Sequence, residues 1–472
     1  MRLWSVSLTA AWLVVAASLA HAALPEHLPK LLNQELTRKV DLTQPSARET
    51  FSISVVNDDG QTAADAYYFL FDAPAAAEIA FAEAWVKPEK KADKRKLLAI
   101  ALDTQHSDDA QTVYRVTLEP SLAPGETLAL EAKFVYTHRR LVVSPKAVEQ
   151  DKAQNLLWED SAYVVGPYAS TEQKTLVKYY MESFSAQPAP VKRNSLGTTI
   201  TYGPYKVPAN AERVPIHVHY EQNLPPVTAL EHRRELEVSH WGSNLAVEEH
   251  YKIRHDGAAI DGEFNRVKFQ GMARKREQTP VLYQIPMKIP GSAHSIYYRD
   301  PIGNVSTSTL ATKGKTIQLS LRPRFPMYGG WQYRFYFGYD RPLGDVLQRQ
   351  PGTNTYVLRV PFLEKIGSWT YDETVMRILL PEGASNVRVN VPFALDEVRH
   401  GKVRTYLDVS GRTAIWLTKR NAVDEHAQEV EITYDYTGFD LLRKPLGVFG
   451  ALLAIFVFSI VYSRLDLSIA RK

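Results

Sequence analysis

The sequence predicts a mainly β protein: two consecutive sandwich-like lumenal domains with few helices, followed by one C-terminal transmembrane helix. Three observations carry this expectation. Short segments alternate polar and apolar residues with period two, as in Glu431-Ile432-Thr433-Tyr434-Asp435-Tyr436 and, with an aromatic allowed on the outer face, Tyr333-Arg334-Phe335-Tyr336-Phe337. The 28 prolines cut the chain into short runs that suit sandwich strands better than long helices. Leu446 to Tyr462 (LGVFGALLAIFVFSIVY) carries no charge, and as a helix it would cover roughly 26 Å, close to the thin hydrocarbon layer of the endoplasmic reticulum.

Taken from the N-terminus, Arg2 precedes an apolar stretch and then Ala20-His21-Ala22, with small residues where a signal peptidase reads. Residues 1–22 are therefore expected to be a signal peptide cleaved between Ala22 and Ala23, an uncleaved signal anchor being the alternative. A cleaved signal followed by one stop-transfer helix makes a type I protein. Residues 23–225 and 226–440 would be two β-rich domains outside the cytosol, 446–462 the span and 463–472 a cytosolic tail. Arg443 and Lys444 precede the span while Arg464, Arg471 and Lys472 follow it, so the signal, not flanking charge, sets the orientation.

Within the ectodomain, the Ala-rich segment Pro74–Val86 and the stretch Lys146–Trp158 read as helices. Val403 to Leu417 reads as a hairpin turning at Ser410-Gly411. Asn223 to Leu230 (NLPPVTAL) sets two prolines between strand-like runs and marks the domain boundary. The segment Ser54–Gly60 leading into Tyr67-Tyr68 loosely resembles Val238–Gly242 leading into His250-Tyr251, a hint of duplication.

Composition excludes several functions. With no cysteine, there are no disulfides, no thiol chemistry and no thiolate metal site, so packing alone must hold about 420 ectodomain residues together. A net charge of +4 gives no footprint for nucleic acid. The basic run Lys87–Lys96 is interrupted by Pro88, Glu89 and Asp93 and reads as a solvated loop.

The search for chemistry returns little. Glu248-Glu249-His250 followed by His255 lacks zinc-protease spacing, and His217 and His219, on one face of a strand, have no third ligand nearby. No nucleophile elbow, phosphate-binding loop or dinucleotide fingerprint is present. The sequence therefore nominates no catalytic residue, no metal site and no cofactor. Asn304-Val305-Ser306 is the only N-x-S/T sequon; it follows the turn-rich Arg299-Asp300-Pro301-Ile302-Gly303, and a glycan is expected on Asn304.

One ordered series of blocks is more specific. Tyr202-Gly203-Pro204-Tyr205, His219-Tyr220-Glu221-Gln222-Asn223, Leu236 to Gly242 (LEVSHWG) and His255-Asp256-Gly257-Ala258 are followed by Tyr297-Tyr298-Arg299-Asp300, Arg322-Pro323-Arg324-Phe325-Pro326, Gly329-Gly330-Trp331 and Leu380-Pro381-Glu382-Gly383-Ala384. Together with the C-terminal anchor these resemble the ribophorin I family across roughly residues 160 to 472, and more diffusely before that. The resemblance implies a non-catalytic, type I subunit of the oligosaccharyltransferase complex of the endoplasmic reticulum membrane. That complex moves a preassembled oligosaccharide from dolichyl diphosphate to the Asn of sequons in nascent proteins.

Implied partners are the catalytic multi-span subunit and its companions, nascent polypeptides, and membrane lipid, with no nucleic acid. Implied roles are stabilising the complex and holding substrate polypeptide in a groove or at a sheet edge between the domains. The ten-residue tail is shorter than the long tails to which ribosome contacts are attributed in the family, so those contacts are not carried over. The rival readings are a type I cell-surface receptor or adhesion protein with β domains, which would more often carry disulfides and several sequons, and a membrane-tethered hydrolase.

Structural roles follow for the distinctive motifs. His240-Trp241-Gly242 is expected to form a tight turn at a strand end with the indole packed beneath it. Gly329-Gly330-Trp331 is expected to be a turn with an aromatic cap. Gly447 and Gly450 would let another helix approach the span closely.

Overall fold

The computed structural model describes residues 28–88, 95–179, 183–275, 279–405, 408 and 410–465. The signal segment with Ala22 and Ala23, residues 89–94 of the basic run and most of the tail lie outside them.

The chain folds as two bodies with the same strand topology. In the first, an eight-stranded sheet runs in the order Val191–Arg193, Thr199–Val207, Ala169–Lys178, Leu31–Asp41, Arg48–Asn57, Thr127–Tyr136, Ile79–Val86, Lys96–Leu98. In the second, the order is Glu397–Val403, Arg412–Val423, Thr370–Leu379, Val227–Ser239, Asn244–His255, Gln332–Pro342, His294–Asp300, Gly303–Asn304. Each sheet is antiparallel except for one central parallel pair, Leu31–Asp41 with Ala169–Lys178 and Val227–Ser239 with Thr370–Leu379. Each is accompanied by a three-stranded and a four-stranded sheet whose strands also correspond in order. The molecule is thus a tandem repeat in topology, with the first hairpin, Leu31–Asn57, matching Val227–His255. The segments that hint at duplication in sequence are not the equivalent ones: Ser54–Gly60 ends the second strand of its body, whereas Val238–Gly242 ends the first.

Period-two patterning explains the layers. In Asn244–His255 burial alternates without a break, sending Leu245, Val247, Glu249, Tyr251, Ile253 and His255 inward. Each buried aliphatic or aromatic side chain in such a row contributes roughly 1.5–3 kcal/mol. The inward rows build two separate cores, one drawn from Leu31 to Tyr220 and the other from Val227 to Tyr436. Burial also seals a matching charged group in each body. Arg38 lies between Glu49 (3.8 Å) and Asp160 (3.4 Å), and Arg234 between Glu249 and Glu364 (3.0 Å). In both, a buried Arg on the first strand meets a Glu on the second and an acid from the four-stranded layer or just beyond it.

Two expected helices are strands. Of Pro74–Val86 only the first turn lies in a helix, Ala73–Ala76, and Ile79–Val86 pairs with Thr127–Tyr136, because a full set of neighbours outweighs the helix preference of alanine. Lys146–Trp158 contains Ala147–Val148 and the start of strand Gln154–Ser161, in which Gln154, Leu156 and Trp158 are buried alternately. The helix Arg266–Lys275 was not expected from the sequence. The terminal helix, Gly438–Arg464, begins eight residues before the apolar run and is long and apolar enough to cross a membrane.

Candidate functional site

The two bodies meet at the segment Asn223–Pro226. The strand Pro215–Gln222 stops before Asn223-Leu224-Pro225-Pro226, and Val227–Ser239 starts the second sheet. Prolines there supply no ladder donors and force extended backbone, so neither sheet continues through.

A polar network locks this junction. His138 Nδ1 lies 2.9 Å from Thr370 Oγ1 and Nε2 lies 2.8 Å from Asp256 Oδ2, with Thr228 and Arg254 also donating to that carboxylate. Burial works against ionising Asp256, but the hydrogen bonds from His138, Arg254 and Thr228 win and hold its carboxyl well below the usual carboxylate range. Nearby, Arg48 (3.2 Å) and Lys133 (2.9 Å) of the first body converge on Glu425 of the second. Burial opposes the charge on Glu425 too, yet the two cations keep its carboxyl below the ordinary value. Phe81, Val135 and Val423 form a small apolar plug across the same seam.

Beside the lock the surfaces part into a groove of about 860 Å³, lined by Gln44, Asn223, Pro225, Tyr283, Ile366 and Trp369 among others. It runs into a second trough of about 880 Å³ through the shared residues Gln284, Pro286, Ile366 and Gly367, past Lys288, Glu364 and Lys365. The trough borders Ile285–Pro290, an edge strand paired only with Thr316–Leu321. Gly291 N–H donates inward to Lys315 O, so by alternation the outward amide positions are Pro286, Lys288 and Pro290. Two of the three lack an N–H. That edge accepts hydrogen bonds but donates few, which disfavours templated strand addition and leaves side-chain contacts to bind whatever lies there.

The residues nominated from sequence lie elsewhere. His217 and His219 share one face of their strand, but His217 meets Ser185 Oγ at 2.9 Å and His219 meets Ser144 O at 2.9 Å. Among the described residues no three His, Asp or Glu side chains converge as metal ligands. Asn304 is exposed at a two-residue strand, its Oδ1 accepting from Arg299 Nε at 2.8 Å. Gly329 and Gly330 form a turn. A Cβ on Gly329 would sit 2.2 Å from Ala258 O, Gly330 has φ of +84°, and Trp331 packs on the second core beside Phe325 and Tyr328. Gly447 and Gly450 are exposed on the terminal helix.

The turn at His240-Trp241-Gly242 differs from expectation. The indole does not pack beneath it: Trp241 is 68% exposed. The imidazole of His240 goes inward instead, 2.7 Å from Tyr434 Oη and against the rings of Tyr356 and Tyr436. Alternation explains the exchange, because Leu236 and Val238 point inward and His240 continues their row. Burial pushes the His240 imidazole down to about 4, so it is neutral.

The sequence pattern of the Ribophorin I family matches residues 31–463. The chain belongs to the ribophorin I family. Its relatives include dolichyl-diphosphooligosaccharide--protein glycosyltransferase subunit 1A of Arabidopsis thaliana, 31% identical over 98% of this chain and 74% of the relative. Subunit 1B of Oryza sativa subsp. japonica is 31% identical over 95% of this chain and 94% of the relative. Subunit 1 of Caenorhabditis elegans is 35% identical, with 76% of this chain and 61% of the relative covered. Among solved structures, an M1 zinc metallopeptidase from Deinococcus radiodurans aligns with 44% of this chain and 42% of its own at 12% identity and TM-score 0.25, a likeness too slight to bear on function.

Proposed function

We propose that this ribophorin I family member is the accessory, non-catalytic subunit 1 of an oligosaccharyltransferase complex. It serves N-linked glycosylation from the lumenal side of the endoplasmic reticulum membrane, anchored by its terminal helix. The observation that carries this reading is the family match along nearly the whole chain together with that helix. Its buried acids support a non-catalytic role. Glu49 with Asp160 and Glu249 with Glu364 are carboxylate pairs of the sort general acid–base chemistry uses, yet each is bridged by a buried Arg and repeated in both bodies, as a folding element would be. Residues 1–22 as a cleaved signal, 23–225 and 226–440 as lumenal domains, and Asn304 as a glycan acceptor belong to the same proposal, as do the multi-span catalytic subunit as partner and nascent polypeptide in the junction groove.

Detergent extraction and affinity purification test it. The full chain is expected to bring down a multi-span glycosyltransferase; recovery of a lone, surface-localised chain would favour a receptor. For the groove, a photo-crosslinking residue at Tyr283, which is 43% exposed, should capture translocating polypeptide. Label reaching only lipid or folded subunits would remove the holding role while leaving the subunit assignment intact.

A further inference from the structure

The exposed Trp241 stands at one end of the second body, and four contacts show which end. His240, its neighbour, has its ring centroid 4.4 Å from that of Tyr436, two residues before the terminal helix begins at Gly438. Arg412, beside the residue 404–411 loop, donates to Val238 O at 2.6 Å. Lys444 on the second turn of the helix pairs with Asp408 of that loop at 2.7 Å. A Cβ on Gly383 would lie 2.5 Å from Asp440 Oδ1 on the first turn. The turn 240–243, the loop 381–384 and Asp408 therefore lie around the start of the helix.

That start is tied to the second body. Thr437 caps the helix through Asp440, Arg443 pairs with Asp440 at 2.8 Å, and Leu441 packs on the second core. Only Tyr436 and Thr437 separate the last strand from the helix, so the end surface stays beside the helix's first turn, ahead of Pro445. Gly438–Arg464 is 27 residues, about 40 Å, which matches a bilayer including its headgroup layers. Phe439 (68% exposed) and Leu442 (46%) continue the apolar surface up the helix to the level of the turn.

In the first body the corresponding end of the fold is covered. The equivalent turn, Leu42–Ala47, lies against the second body: Ser368 Oγ donates to Gln44 Oε1 at 3.1 Å, Arg48 just beyond the turn donates to Ser368 Oγ at 3.1 Å, and Thr43 and Gln44 face Ile366 and Trp369 across the junction groove. In the second body the same turn presents the sole exposed tryptophan among the described residues. From Val238 to Val247 the hairpin tip has no acid, Lys or Arg, and its His240 is neutral. An uncharged tip crowned by an indole, fixed beside a membrane-spanning helix, has the chemistry of the bilayer interface, where tryptophan is enriched.

We propose that the hairpin tip around Trp241 rests on the lipid surface, with the indole among the headgroups as a second membrane contact beside the helix. This rests on the terminal helix being the span and not on which complex the chain joins. Lipid is chosen over a protein occupant because the helix carries the bilayer to the foot of this end, whereas Trp241 lines neither the junction groove nor the trough that continues it.

The test uses full-length chain in phosphatidylcholine vesicles, comparing wild type with Trp241→Phe. Subtracting the two emission spectra isolates Trp241. The expected result is that this component falls by about half or more when shallow-brominated phosphatidylcholine replaces the ordinary lipid, and is shielded from aqueous iodide. A component open to iodide and blind to brominated lipid overturns the proposal. So does one shielded from both only when other membrane subunits are added, which would assign the tip to a protein. A Trp241→Phe chain that fails to fold would place the indole in the core and overturn it equally.

Discussion

Replacing His240 and Trp241 separately by alanine should give opposite results to those the motif suggests on inspection. Truncating His240 leaves the Tyr434 hydroxyl, buried in the second core, without its partner, at roughly 1–3 kcal/mol. It also removes ring contacts with Tyr436 and Tyr356, each worth about 0.5–1.5 kcal/mol. The total is about 3 kcal/mol, and for a body of this size it lowers Tm by roughly 6–12 °C. Trp241→Ala alters an exposed side chain and should stay within about 0.5 kcal/mol. Thermal melts of the full-length chain in detergent, followed by near-ultraviolet circular dichroism, measure both. Tyr434→Phe alone and with His240→Ala closes a double-mutant cycle, in which a coupling near 1 kcal/mol is expected. If Trp241→Ala melts lower than His240→Ala, or the cycle shows no coupling, the inward imidazole is wrong and the buried indole of the sequence reading is right.

Gly329→Ala should destabilise by about 3 kcal/mol or prevent folding, since its Cβ would strike two backbone carbonyls, while Gly330→Ala meets open space and bears only the roughly 1 kcal/mol of its positive φ; equal effects in denaturant titrations would refute the close approach. Burial pushes His255 and His426 down to about 4, so the unfolded chain takes up protons below about pH 6.5 that the folded chain refuses. Stability is therefore full above about pH 6.5 and falls toward pH 4, by about 2 kcal/mol per histidine between pH 7.5 and 5. Urea midpoints that do not move over that range would contradict the buried neutral rings. Glycosidase treatment of protein from its native host should increase gel mobility, Ser306→Ala should abolish that shift, and an unchanged band for the wild type would remove the glycan from Asn304.

Much of the fold is written in the alternation. Glu431–Tyr436 and Tyr333–Phe337 read as strands and are strands, because burying one face of a sheet leaves a period-two trace in any sequence. The hairpin read over Val403–Leu417 was legible only in its second arm: Val403 pairs with Arg412, so the first arm is Glu397–Val403 and lies before the segment assigned to it. Pro74–Val86 was misread because alanine's helix preference is local, whereas the pairing of Ile79–Val86 with Thr127–Tyr136 depends on residues some fifty positions away. The repeat lies in the strand order, in which the two segments that resemble each other, Ser54–Gly60 and Val238–Gly242, are not equivalent. The junction groove left no trace beyond Asn223–Pro226: its walls come from residues 43–44, 221–225, 279–286 and 366–369, which only the assembled fold brings together. Trp241 shows a different limit. A motif reveals that its residues matter as a set, while alternation counted from Val238 would have shown which of His240 and Trp241 faces in.

The strand Val227–Ser239 joins the junction groove at one end to the surroundings of the terminal helix at the other. Thirteen residues at about 3.3 Å each make roughly 40 Å. The second body therefore acts as a ruler. An extended polypeptide needs about a dozen residues to climb from the foot of that strand to the groove, so anything held there has a minimum free length before it can be reached.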